Sequence, residues 1–180
     1  MKYDRDDPIG SVFADIIGQP AWQVKRGVGS FVTLEFGAPH LEVYEPRPSN
    51  SKSAKVRDLL AQRRVFVHGQ WHLWIYCCHW RLTFASRRGA HDESADDVMD
   101  RALQRLDGQK LISVELGPKG RSTFTFDLGA TLNTQAAAAD EYGEDVESWL
   151  LYAPRGRVLS LLRDGSLTWT GASKPAARRG

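Results

Sequence analysis

Metal-ligating and nucleophilic side chains are concentrated in one short stretch, His68-Gly69-Gln70-Trp71-His72 followed by Cys77-Cys78-His79. Read as one extended strand, it places His72 and Cys78 on one face and Cys77 and His79 on the other. Two ligands then converge at most, where a structural zinc takes four. No metal and no other cofactor is expected. The same geometry parts Cys78 from His79, and no helix start follows to lower a thiol pKa, so a cysteine nucleophile is not expected either. Glu35 and Asp127 are a second candidate, two carboxylates at matching ends of two similar hairpins. An acid at the polar position of an alternating strand belongs on a solvated face, which argues against acid–base work by this pair. The third group, Trp71, His72, His79 and Arg81, has the residue types that line a pocket for a small ligand or nucleotide, with or without hydrolysis. Aromatic side chains beside arginines also suit stacking on single-stranded nucleic acid. No P-loop, dinucleotide glycine motif, zincin helix or Gly-x-Ser-x-Gly elbow is present, and no catalytic residue is expected.

The scaffold that must position these groups is written twice. Ile16-Ile17-Gly18-Gln19 recurs as Leu106-Asp107-Gly108-Gln109, with Val24 and Gly27 matching Val114 and Gly117 at the same offset. After a two-residue slip, Thr33-Leu34-Glu35-Phe36-Gly37 recurs as Thr125-Phe126-Asp127-Leu128-Gly129, and residues 72–76 have a looser echo in 148–152. This pattern predicts one domain over residues 1–172, built of two pseudo-symmetric β units at about 10–90 and 100–172, with a disordered basic tail at 173–180. Each unit reads as a hairpin around a glycine-containing turn followed by a further strand, and Asp164-Gly165 supplies the tight turn of a last hairpin. The segment 71–84 reads as a single strand with Trp74, Tyr76, Trp80, Leu82 and Phe84 on its core face; apolar on both faces, it belongs at a sheet centre or in a barrel. Apolar spacing predicts a helix from an Ser94 N-cap to Leu106, and a shorter basic one over Ser53 to Arg64. The fold class is therefore α+β, mainly antiparallel, with the duplicated units forming a closed or nearly closed, barrel-like sheet and one or two helices.

The composition, 180 residues with 42% hydrophobic and 26% charged, is that of a globular protein that needs neither disulfide nor metal for a core. Cys77 and Cys78 are adjacent and badly placed to bond each other. No apolar run reaches the roughly 18 residues of a membrane span, and the acidic start is no secretory signal, so a cytoplasmic location is expected. A net charge of +2 is too mild for a nucleic-acid binder. The charge is uneven, however: residues 1–90 carry 13 basic and 8 acidic side chains, residues 91–180 carry 11 and 14.

The segments 68–81, 106–111, 125–129, 149–152 and 163–165 together resemble an uncharacterised family of bacterial single-domain β-rich proteins of about this length. The plan is loosely similar to that of immunity and accessory proteins of bacterial toxin and defence loci. The resemblance implies no catalytic residue. With no enzymatic motif in view, the leading expectation is a non-enzymatic protein-interaction module, such as an immunity or accessory protein, that binds another protein, a toxin or defence effector, and neither nucleic acid nor membrane. Projecting charges set partner choice, which nominates Lys55, Arg57, Arg63 and Arg64 on the basic helix and Asp140, Glu141, Glu144 and Asp145 on an acidic loop.

Overall fold

Alternation of apolar with small or polar residues sets the strands of this chain, most of which bury one face. In the computed structural model, which describes residues 8–85, 87–138, 141 and 146–171, β2 (Val32–Phe36) buries Val32, Leu34 and Phe36 and β9 (Arg121–Phe126) buries Ser122, Phe124 and Phe126. The remaining strands are β1 (Trp22–Arg26), β3 (His40–Tyr44), β4 (Arg64–His68), β5 (Trp71–Ile75), β6 (Cys78–Phe84), β7 (Arg87–His91), β8 (Leu111–Gly117), β10 (Ala130–Ala136), β11 (Glu147–Ala153), β12 (Arg157–Leu162) and β13 (Leu167–Gly171). The helices are α1 (Pro8–Phe13), α2 (Ala54–Leu60) and α3 (Asp96–Leu106). The protein is α+β with antiparallel pairing. The expected tail at 173–180 lies outside the described residues.

Two sheets stack face to face, ordered β1-β2-β5-β11-β12-β13 and β7-β6-β10-β9-β8, with β3 and β4 forming a separate two-stranded ribbon. The expected barrel is not formed: among the described residues no sheet closes on itself. At the β1/β8 side the two sheets meet through a single bridge, Pro20 to Lys110. Pro20 has no N–H to extend a ladder, and the Lys110 N–H is taken by Asp127 Oδ1 at 2.8 Å.

That bridge is the centre of a near-symmetric arrangement. Gly18 N–H donates to Leu111 O and Gly108 N–H to Ala21 O, both at 2.7 Å; Leu111 N–H returns to Gln19 O at 3.1 Å and Ala21 N–H to Gln109 O at 2.9 Å. Gly18 and Gly108 take the same left-handed backbone, φ +85° and +87°. Each helix packs across onto the other half, α1 on β8 and α3 on β1. The strands exchange too. β5 continues into β6 in the opposite sheet, and β10 is followed by β11, which returns to pair with β5.

The exchange breaks the segment 71–84 at Tyr76-Cys77, where Cys78 N–H donates to Tyr76 O at 2.8 Å. Alternation flips there. β5 buries Trp71, Leu73 and Ile75, and β6 buries Cys78, Trp80 and Leu82, so Trp74 and Tyr76 face outward instead of into the core. Between the sheets lie two fully buried tryptophans: Trp149 Nε1 donates to Ser122 Oγ at 2.8 Å and Trp80 Nε1 to Ser30 O at 2.6 Å. Phe13 of α1, which carried no periodic signal in its six residues, closes edge-to-face on both Phe124 and Trp149. α3 matches its expected span, but Ala95 occupies the N-cap and Ser94 Oγ accepts from His91 N–H. α2 is capped by Ser53 and stops at Leu60, before Arg63 and Arg64.

Since a Cβ on either Gly18 or Gly108 meets nothing within 4 Å, alanine at each position has only the left-handed backbone to oppose it, at about 1–2 kcal/mol. Urea unfolding of Gly18→Ala and Gly108→Ala is expected to show nearly equal losses of that size; a cost confined to one of them would contradict their equivalence.

Candidate functional site: a projecting arm and the cleft at its root

The two halves differ most after their second strand. β9 turns through Asp127–Gly129 straight into β10, whereas β2 is followed by an excursion, β3-α2-β4, before the chain returns as β5 beside β2. In the β3–β4 ribbon Leu41 pairs with Val67 and Val43 with Val65. These four form one face and are exposed at 66%, 38%, 48% and 53%. α2 buries no residue and adds the exposed Val56 and Leu59. The expected cations Lys55 and Arg57 sit on α2. Arg57 Nη1 donates to Ser51 O at 2.8 Å; Arg63 pairs with Glu45 at 2.9 Å; Arg64 opens β4, its guanidinium over the Tyr44 and Phe66 rings. Over residues 40–68 six basic side chains face three acidic ones, so the arm is basic as well as apolar.

The other face of the ribbon, with His40, Glu42, Tyr44 and His68, walls a cleft of about 460 Å³ completed by His72, Trp74, Tyr152 and Arg155. Beneath it, behind the lining residues His68, Gly69 and His72, lies Glu35. Val32, Leu34 and Phe36 point inward, so Glu35 projects from the outer face, opposite His72 in the β2–β5 register. The arm's return covers it, leaving 1% exposed. The expected solvated position is thus corrected: the excursion supplies a roof that Asp127, its exposed sequence counterpart, lacks. Three donors satisfy the buried carboxylate. His72 Nδ1 lies 2.7 Å and His68 Nδ1 3.0 Å from Oε1, and Gly69 N–H donates to Oε2 at 2.8 Å. Burial alone would raise the Glu35 pKa, but the His72, Gly69 and His68 interactions outweigh it and hold the carboxyl below its ordinary value. Gly69 is needed for the close approach, because a Cβ there would overlap the Phe36 carbonyl. His68 is backed by Glu42, its Nε2 3.5 Å from Oε2. At the rim, Arg155 holds a left-handed backbone, φ +65°, uncommon for a side-chain-bearing residue.

Of the expected pocket residues only His72 lines this cleft. Trp71 is a core residue, while His79 and Arg81 lie on the other sheet beside His91, Asp92 and Arg121. His79 Nδ1 is 2.7 Å from Asp92 and its Nε2 3.4 Å from Glu141. Of the expected acidic loop, Asp140, Glu144 and Asp145 lie outside the described residues. Cys78 is buried, and burial pushes its thiol up to about 12. No helix of the described residues is long and apolar enough to cross a membrane. No family model, curated protein or solved structure matches the chain.

The sequence reading missed the grouping of Glu35 with His68 and His72. The available signal was Glu35 itself, an acid between Leu34 and Phe36 in a strand whose next neighbour in the sheet could not be identified locally.

Two outcomes follow. Cys77 is half-buried and Cys78 fully buried, and attack needs the thiolate. A thiol reagent at mildly alkaline pH is therefore expected to label Cys77 in the folded chain and Cys78 only on unfolding, as read by mass spectrometry of the single Cys→Ser variants. The hydrogen bond to Asp92 raises the His79 pKa above its ordinary 6.5. The charged pair then stabilises fully below pH 6.5 and fades as pH rises through the higher folded value. The stability gap between wild type and Asp92→Asn should accordingly shrink from acid to alkaline pH, by less than about 1 kcal/mol because the pair is partly exposed.

Proposed function

We propose that the protein is an interaction module whose docking element is the β3-α2-β4 arm. One observation carries the reading: the apolar quartet Leu41, Val43, Val65 and Val67 lies in water on an arm that no other part of the described chain covers. A two-stranded ribbon is marginal by itself, and an exposed apolar patch rimmed by charge is the usual mark of a protein-binding surface. Basic residues of the same arm, Lys55 and Arg57 on α2 and Arg63 and Arg64 at the ribbon's end, suit a partner with an apolar patch in an acidic surround. The arm is also the part of the chain that departs from the near-symmetric scaffold, as expected of a functional addition to a structural frame. A toxin or defence effector is the class of partner that this reading favours.

The measurement is affinity capture from the native extract with wild type and with a Val43→Asp, Val67→Asp double variant, both checked for fold by circular dichroism. A stoichiometric acidic partner bound by wild type and weakened at least about tenfold by the variant, roughly 1.4 kcal/mol, is expected. Arg63→Ala with Arg64→Ala should weaken it further at low salt than at high salt. A wild-type chain that captures no partner, or a partner held equally by the double variant, would refute the arm as docking element.

A further inference from the structure

We infer that Glu35, His68 and His72 form a site for one divalent transition-metal ion of the zinc type, open on its cleft side to a small anionic ligand. This goes beyond the docking reading and does not depend on it.

The ligand atoms, one carboxylate oxygen and two imidazole nitrogens, lie within 4.8 Å of one another. The two nitrogens are 2.7 and 3.0 Å from the same oxygen, Oε1. Ligands held about 2.0–2.2 Å from one ion stand roughly 3 Å apart, close to the present spacing between Oε1 and each nitrogen, so an ion would replace the shared imidazole protons. The set is selective. Two imidazoles and one carboxylate suit zinc and its first-row neighbours, whereas calcium and magnesium take oxygens.

The surroundings are those of a supported site. Gly69 N–H occupies Oε2 and thereby turns Oε1 toward the histidines. Glu42 stands behind His68, its Oε2 3.5 Å from the other ring nitrogen, within reach of the carboxylate–imidazole hydrogen bond that fixes the tautomer of a ligating histidine. Glu35 belongs to β2 and His72 to β5, neighbours in the large sheet, so two of the three ligands are rigidly placed. Three protein ligands leave a coordination position unfilled, as in catalytic rather than structural sites. His68 and His72 line the cleft, so an ion between them would have its free position on that side, where Tyr152, Trp74 and Arg155 provide an aromatic wall and one cation for a carboxylate or phosphate group. Cys78 takes no part: it lies in the core on β6, a strand of the other sheet.

The test uses the full chain without a histidine tag, stripped with chelator and titrated with zinc chloride by calorimetry, then with cobalt chloride by visible absorption. One zinc per chain is expected, with cobalt giving the absorption bands of a low-coordinate nitrogen and oxygen site. His68→Ala and His72→Ala should abolish stoichiometric binding, Glu42→Gln should weaken it about tenfold to a hundredfold, and His79→Ala should leave it unchanged. Against the chance that a ligand variant misfolds, imidazole NMR of the wild-type chain should show zinc shifting His68 and His72 and sparing His79. Substoichiometric binding, binding that survives both histidine substitutions, or zinc shifts at His79 in place of His68 and His72 would overturn the site.

Discussion

The four backbone hydrogen bonds that cross between Gly18–Ala21 and Gly108–Leu111 are the constraint on which the molecule is built. They join the two halves at their equivalent points, set each helix on the other half's first strand, and leave the later strands to be exchanged between sheets. Once β5 pairs with β11 and β6 with β10, neither sheet can be completed by one half alone. The core is correspondingly shared, with Trp80 from the first half and Trp149 from the second each anchored to a serine of the β2 or β9 hairpin region. A tryptophan buried with its indole N–H paired loses none of its hydrophobic gain to an unsatisfied donor.

On this frame the β3-α2-β4 excursion is the main departure from symmetry, and it creates the cleft. Asp127 and Glu35 occupy matching places in the repeated sequence, yet Asp127 caps the Lys110 N–H in water while Glu35 is roofed over and held by three donors. A buried carboxylate without those partners would be neutralised or expelled. The arrangement is therefore all or none: the glycine, both histidines and the carboxylate need one another. An acidic residue at one repeated position has acquired two different jobs because the chain that follows it takes two different routes.

Period-two alternation and glycine-bearing turns made most hairpins legible, and the 3.6-residue spacing of Val98, Met99, Ala102, Leu103 and Leu106 marked α3 almost to the residue. Internal repetition disclosed the paired Gly-Gln segments. What stayed hidden were long-range pairings. Nothing local distinguishes a strand that runs on through Tyr76-Cys77 from one that changes sheets there, and the change turns Trp74 and Tyr76 outward, opposite to what alternation through 71–84 implies. Closure into a barrel depends on the edges finding partners, and the β1/β8 edge stops at a proline. For the site, His68 and His72 were legible as candidate ligands, but Glu35 joins them only through the β2–β5 register and the fold of the arm.

The position of His68 has a thermodynamic consequence. It is the last residue of β4, hence part of the arm, while Glu35 and His72 belong to the large sheet. A peripheral ribbon that buries little can open locally without disturbing the core, and each opening would carry one imidazole away from the carboxylate. Whatever stiffens the arm therefore tightens the grip on whatever sits between these three groups, and by reciprocity an occupant there steadies the arm by the same free energy. The apolar outer face and the polar floor, though they look in opposite directions, share a single order–disorder equilibrium.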